Sequence, residues 1–260
     1  MNEIVVSGLT LAPVKGMRLA SVERISLGLS GVRENRRFFW IDERDRLVNG
    51  KMLGGLQSVV AEYEDSARWL RLTLSDGTVV EGEVRAGKPV ITRFYSQTLE
   101  ARVVSGPWSE AVSACLGRPL RLVEAGEAGA VDRGADGAAS AISRASLARL
   151  AEQAGETGEL DARRFRMLIE VDGLAAHAED EWVGRTVRIG EARVVFRGHV
   201  GRCLTTSRNP DTGVVDLPTL DLLRSYRGER AATEPLPFGV YGRPVTPGRI
   251  AVGDPIVVDE

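Results

Sequence analysis

Arg202-Cys203-Leu204-Thr205-Thr206-Ser207-Arg208-Asn209-Pro210-Asp211-Thr212-Gly213 places a thiol directly after an arginine and just ahead of a polar turn. Asn-Pro, Asp and Gly supply the turn chemistry. A neighbouring guanidinium favours the thiolate, the form that attacks electrophiles and ligates soft metals. The competing reading is a small buried hydrophobe, because free cysteine is among the most buried residue types. Outward from this stretch the chain reads as short strands punctuated by glycine, at 165–171, 186–189, 192–196 and 254–258. Gly190-Glu191 is a hairpin turn between two of them. A short helix over 217–227 tolerates Pro218 in its first turn. Such strands suit a barrel.

The first half is also β-rich. Strand-like runs lie at 4–6, 22–27, 37–42 and 70–74, and Ser75-Asp76-Gly77-Thr78 makes a tight hairpin. Residues 108–117 predict a helix with Trp108, Val112, Cys115 and Leu116 on one face and Gly117 as its stop. Cys115 is therefore a core residue without chemistry. A second helix is expected over 143–153, N-capped by Ser143. Residues 125–139 are Gly/Ala-rich with alternating charges and read as a connecting loop. The division into domains is placed just before it, at 1–123 and 124–260.

The chain of 260 residues is long enough for one large domain or two modest ones. A net charge of −2 and a pI of about 5.9 supply no global field for nucleic acid or an anionic membrane. Two cysteines argue against a disulfide scaffold and suit a reducing compartment. The first eleven residues read as a strand rather than a signal peptide, and no run approaches the length of a membrane helix. A cytoplasmic location is expected.

Among candidate site residues, Lys15 can supply charge and Gly16 can let backbone approach a phosphate; the alternative is a surface lysine at a strand–turn junction. Arg37 opens an aromatic strand, where a charge is costly unless paired, so a salt bridge to Glu34 or Asp42 competes with ligand binding. Arg166 carries the same ambiguity. Arg202, beside Cys203, can bind an anion or depress the thiol pKa. His199 and Cys203 would stand about 13 Å apart on an extended strand, which disfavours a Cys–His pair. His177 reads as solvent-facing, and two histidines make a His-based zinc site improbable. Asp211 and Asp216 read as turn formers.

These segments, in this order, resemble the MOSC family, named for the C-terminal domain of molybdenum-cofactor sulfurase. The likeness is to its two-part members, which include the mitochondrial amidoxime-reducing component and bacterial relatives. Pro13-Val14-Lys15-Gly16 resembles the family's Tyr-Pro-Val-Lys opening. Ile142-Ser143-Arg144-Ala145-Ser146-Leu147 resembles Leu-Ser-x-Ala-Ser-Leu, and Arg164-Phe165-Arg166 resembles Asn-Phe-Arg. Ala178-Glu179-Asp180-Glu181-Trp182 resembles Ala-Glu-Asp-x-Trp. The most specific part is Arg202-Cys203 through Gly213, followed by Leu220-Asp221-Leu222-Leu223-Arg224-Ser225-Tyr226-Arg227. Pro237-Phe238-Gly239-Val240-Tyr241 and Val252-Gly253-Asp254-Pro255 close the pattern. The sequence departs from it at Met167-Leu168, where the family usually carries Pro-Asn, and at Arg36, where it usually has Asp. Lys51 stands at a position commonly Arg.

The resemblance implies a mainly β (α+β) chain, a MOSC β-barrel preceded by a smaller β-rich domain, with few short helices. It implies a pterin-based molybdenum cofactor between the two parts, with Cys203 as Mo ligand and catalytic residue. Lys15, Gly16, Arg37, Arg166, Arg202 and Tyr241 would bind the cofactor, Tyr241 closing over it on a Gly239/Gly242 turn. The implied activity is reduction of small N-hydroxylated or N-oxide substrates. The chain has too few cysteines for a four-ligand [2Fe–2S] cluster and no GxGxxG fingerprint, so a separate electron-donor protein is expected. Pyridoxal phosphate, nucleic acid and membrane partners are not expected. Two alternatives stay open: a cysteine-persulfide sulfur carrier or sulfurtransferase acting through Cys203, and a non-catalytic small-anion or cofactor-binding protein.

Overall fold

A computed structural model of the chain describes residues 3–126 and 132–259. The centre of the C-terminal half is an eight-stranded sheet. Its order runs from Ile256–Val258 through Thr186–Ile189, Ala192–Gly201, Pro237–Thr246, Ala139–Ser143, Ile169–Asp172 and Val5–Leu11 to Ala20–Ser21. Neighbours are antiparallel except Ala139–Ser143 and Ile169–Asp172, which are parallel. That pair needs a crossover, and the segment containing the helix Arg144–Ala154 supplies it. The sheet curls until its ends meet: Val6 N–H donates to Asp254 O at 2.9 Å and Ile256 N–H to Ile4 O at 2.8 Å. Val6, Leu9, Ile169, Val187, Val194 and Val240 fill the inside. The expected barrel is therefore present, and the first strand of the chain is one of its staves.

Residues 38–125 build the second, β-rich part. Phe38–Ile41 is buried at all four positions, because it is covered on both faces. Phe38 and Trp40 face one core with Leu70, Leu72 and Trp108, while Phe39 and Ile41 face another with Phe94 and Val123. Helix α1 (Trp108–Leu116) ends at Gly117 in the left-handed region, and its Trp108 Nε1 donates to Leu70 O at 3.2 Å. Cys115 packs at the edge of the first of these cores, half-buried, with Sγ 3.5 Å from Ser75 Oγ. The expected join at residues 123/124 falls within the strand Arg121–Ala125. Residues 127–131 of the expected loop lie outside the described residues.

Helix α2 (Arg144–Ala154) is capped by Ser143, whose side chain accepts from Ser146 N, and stops at Gly155. Helix α3 (Thr219–Arg227) follows Pro218. The strand expected over 165–171 starts later. Asp161 accepts from Arg163 N–H to cap a 3-10 turn over Ala162–Phe165, and Arg166 adopts φ 55°, so extended backbone resumes only at Ile169–Asp172. Among the described residues no helix is long and apolar enough to cross a membrane.

Trp108 is fully enclosed, whereas Trp69, at the start of the strand Trp69–Thr73 of the same part, is 42% exposed. Trp108→Ala should lower unfolding stability by about 3–5 kcal/mol, and Trp69→Ala by well under half of that. Urea titration followed by circular dichroism measures both; equal losses would contradict the burial pattern.

Candidate functional site

The barrel and the second part meet at a cavity of about 320 Å³. Cys203 reaches it from the end of the long strand Ala192–Gly201. That strand changes register between Phe196 and Gly198 and again between His199 and Gly201, which turns Arg202 and Cys203 out of the ladder. Cys203 then caps a 3-10 turn over Leu204–Ser207, its carbonyl accepting from Thr206 N–H and Oγ1, both at 3.0 Å. Its thiol is exposed and touches the Thr205 hydroxyl at 3.5 Å.

The turn after Cys203 is clamped to the other part of the molecule. Asn209 Oδ1 accepts from the N–H groups of Asp211 and Thr212 at 2.9 and 3.1 Å. Gly213 has φ 72°, and a Cβ there would lie 1.9 Å from Gly54 O. Arg208 donates to Gly213 O at 2.7 Å and to Lys51 O at 3.3 Å, while Arg18 donates to Asp211 O at 2.7 Å. Asp211 and Asp216 do more than form a turn. Asp211 pairs with Arg163 at 3.0 Å and Asp216 with Arg164 at 2.6 Å, tying the cysteine turn to the segment that carries Arg166.

The cavity wall is cationic. Lys15, only 6% exposed, sits on the chain between the first barrel strand and the second part. Gly16 follows it with φ 91° in a turn closed by Met17 N–H to Val14 O at 3.2 Å. Arg166 donates to Met17 O at 2.8 Å. Arg202 places its fork on the carbonyls of Phe238 and Phe165 and on Met167 Sδ, and among the described residues it pairs with no carboxylate. Arg36 donates to Arg166 O at 3.2 Å and stands 3.8 Å from Asp132. Asp132 is the one acid among the described residues lining this cavity, and it accepts a short hydrogen bond from Lys15 Nζ.

Charge and burial act together on these groups. Burial pushes the Lys15 ammonium down to about 8; Asp132 opposes that, and Arg36 and Arg166 add to it. Burial pushes Arg166 and Arg202 down to about 9, with repulsion from Arg36 and Arg133 respectively, and both stay charged at neutral pH. Burial would raise the Asp132 carboxyl, but Lys15 and Arg36 hold it well below the usual carboxylate range. Burial and Asp132 raise the neighbouring Tyr95 phenol. The result is a set of desolvated cations with one carboxylate among them, a site built for an anion.

The expected residues are mostly brought together. Cys203, Lys15, Gly16, Arg166, Arg202 and Tyr241 line one cavity. Arg37 does not. Its fork lies on Glu124 at 3.0 and 2.8 Å, because Arg36 and not Arg37 turns toward the barrel. Arg37 borders an adjoining cavity of about 500 Å³. Tyr241 is not on a turn. It lies within the strand Pro237–Thr246, with the Arg133 guanidinium 4.6 Å from its ring centre, so it is a fixed wall rather than a closing lid. His199 turns away from Cys203, donating its N–H to Thr233 Oγ1 at 2.7 Å and standing 3.9 Å from Asp180. His177 is half-buried, not solvent-facing, packed against Tyr226 and Phe238, and burial pushes its imidazole down to about 4. Sequence reasoning missed Arg36, Asp132 and Arg133. The only trace of the last two is the alternation of charges in a Gly/Ala-rich loop.

The MOSC domain model matches residues 128–257. Over 101 residues the chain is 40% identical to mitochondrial amidoxime-reducing component 1 of Mus musculus, a stretch covering 36% of this chain. The chain thus spans only 29% of that relative's own length. It is 26% identical over 277 residues to mitochondrial amidoxime reducing component 2 of Bos taurus, covering 96% of this chain and 82% of the relative. Among solved structures, the YuaD protein of Bacillus subtilis aligns over 99% of this chain and 96% of its own, at 10% identity and a TM-score of 0.45.

Lys15 sets the pH response of the cavity. Below about 8 it is charged and attracts anions. As pH rises through that value the folded protein loses the proton while an unfolded chain keeps it up to 10.5, so this group makes folded stability rise with pH over that window. Anion affinity moves the other way. Sulfate, whose own charge is constant here, should bind roughly tenfold more weakly above the transition, the difference between a charged and a neutral hydrogen bond. Isothermal titration of wild type and Lys15→Met across this range checks it; a pH step that persists in the variant would remove Lys15 from the explanation.

Proposed function

The chain belongs to the MOSC domain family, and on that premise we propose that it holds a pterin-based molybdenum cofactor in the Cys203 cavity and reduces small N-hydroxylated or N-oxide compounds. Its family and its amidoxime-reducing relatives are associated with that cofactor and with reduction at nitrogen. The single observation that carries the reading to this chain is an exposed thiol opening into a cavity walled by one buried and several half-buried cations. The residues present fit the group. A thiolate is a soft ligand suited to molybdenum, and Lys15, Arg36, Arg166 and Arg202 leave a positive excess for a phosphate.

When bound, the metal would supply the two-electron chemistry. The chain's part is binding and orientation. Cys203 Sγ would ligate the metal from a turn clamped on both sides. Lys15 and Arg166 would hold the anionic end, with Gly16 allowing backbone to approach it. Arg202 fixes the start of the cysteine turn through the Phe238 and Phe165 carbonyls. Lys15 Nζ, with a pKa of about 8, can hold and release a proton near neutrality. Met167 and Leu168, which replace Pro-Asn of the family pattern, are both accommodated: Met167 lines the cavity with its Sδ accepting from Arg202, and Leu168 is buried against the barrel core. Electrons would come from a separate donor protein, since two cysteines cannot hold an iron–sulfur cluster of four ligands. We place the reaction in the cytoplasm.

The exposure of Cys203 also suits a persulfide carrier, and one experiment parts the two readings. Protein purified from a host that makes the cofactor should carry close to one molybdenum and one pterin per chain. Cys203→Ser should lose the metal or alter its absorption, and lose N-oxide reduction by at least about a hundredfold, because a hydroxyl is a harder ligand. Cys115→Ser should keep activity. Wild type with a thiol-labile extra sulfur and no molybdenum would favour the carrier. Full activity in Cys203→Ser would exclude both.

A further inference from the structure

Asp132 and Arg133 are consecutive, and each is tied to a different side of the cavity. Asp132 reaches Lys15 and Arg36 on the N-terminal segment. Arg133 makes a two-pronged pair with Glu234 at 2.7 and 2.5 Å and lies over the Tyr241 ring. Glu234 in turn accepts from Gly201 N–H at 2.9 Å, two residues before Cys203. Gly134 follows with φ 53° and open space around its α-carbon, and Asp136 anchors the chain beyond it on Arg243 at 2.9 Å. The two residues therefore span the cavity and are attached downstream through a glycine that accepts a change of backbone angle.

A carboxylate at the centre of a cation cluster is a competitor for any anion that enters. Lys15 offers three donors on one point charge, and Asp132 already holds it. Asp132 is also 34% exposed at its side chain, so it can leave Lys15 for water, whereas Lys15 is enclosed and cannot follow.

We propose that Asp132 is a built-in counter-anion of the cavity, seated on Lys15 and Arg36 when no ligand is bound and displaced from them by the tetrahedral oxyanion group of an incoming ligand. The displaced carboxylate moves out about Gly134, and the Arg133–Glu234 pair carries the exchange toward the strand end that presents Cys203. The apparent affinity of the cavity for an oxyanion is then its intrinsic affinity reduced by the fraction of molecules in which Asp132 is off its seat. The buried cations stay satisfied in both states. This needs only an anion site at Lys15, not molybdenum, so it can stand or fall separately from the proposed reaction.

Sulfate binding to the full chain at pH 7 tests it, by isothermal titration, without metal or cofactor. Asp132→Asn keeps the shape of the side chain and removes its charge. It should bind sulfate about ten- to a hundredfold more tightly than wild type, as expected for losing one charge-assisted hydrogen bond on the competing side. Lys15→Met should abolish the gain in the double variant. In wild type, saturating sulfate should speed amide hydrogen exchange over residues 132–137, a readout that needs no substitution. Equal or weaker sulfate binding by Asp132→Asn would overturn the proposal, as would slower exchange over 132–137 with sulfate. Tighter sulfate binding by Asp132→Asn, in a chain that retains no molybdenum from its host, would sink the proposed reaction and leave the counter-anion in place.

Discussion

Positive charge buried at the seam between the barrel and the second part is the constraint around which the site is organised. Lys15 is enclosed and Arg166 and Arg202 are half-buried, and each must be held by something. Arg166 and Arg202 are held by main-chain oxygens: Met17 O for one, Phe238 O and Phe165 O for the other. A carbonyl satisfies a guanidinium's donors without cancelling its charge. The cluster thus keeps its field, and among the described residues Asp132 is the one lining acid that reduces it. A cleft lined by a single sign of charge in a low-dielectric wall concentrates the opposite ion. This is compatible with a chain whose overall charge is only −2, because the charge is local.

Fixing that charge needs both parts of the molecule at once. The segment from Val14 to Met17 belongs to neither core alone: Val14 and Met17 pack with Trp40 and Leu56, while the preceding strand Val5–Leu11 lies in the barrel sheet. The cysteine turn is locked to the opposite part through Gly54 and Lys51, and to the connecting segment through Arg18. A shift of the two parts would therefore open the cavity and slacken the Cys203 turn together. Binding geometry and fold stability are coupled at this seam, and residues such as Arg208 serve both.

Much of this was legible in the sequence where local chemistry decides local structure. Gly117 and Gly155 stop α1 and α2 in the left-handed region, Ser143 caps α2, and the turns at 75–78 and 190–191 fold as their residues require. Cys203 stands out by its local chemistry beside Arg202, and it and Lys15 gain weight from the order of motifs. What failed to show were facts of parity and of distance. Phe38–Ile41 is buried on both faces, so no alternation tells which of Arg36 and Arg37 turns inward; Arg36 itself takes φ 53° and breaks the count. Asp132 and Glu234 lie in loops and find Lys15 and Arg133 across 117 and 101 residues. No period links such pairs. Arg166 shows the same limit: its left-handed turn is held by a buried guanidinium on Met17 O, a contact that overrides the strand character of the residues around it.

The departures at Arg36 and at Met167-Leu168 take on meaning together. An arginine where the family pattern has an aspartate adds a cation to a cluster that is already in excess, and the carboxylate that answers it comes from Asp132 on another segment. A methionine and a leucine in place of Pro-Asn remove one side-chain amide, and Met167 gives its sulfur to Arg202. The cavity is left with many charges and few directional acceptors. Recognition by a point charge such as the Lys15 ammonium falls off slowly with distance and discriminates weakly between anions of similar size. Selection must then come from shape, which is set by the rings of Tyr95 and Tyr241 and by the fixed backbone at Gly16 and Gly201, and from whatever resistance Asp132 offers to being replaced.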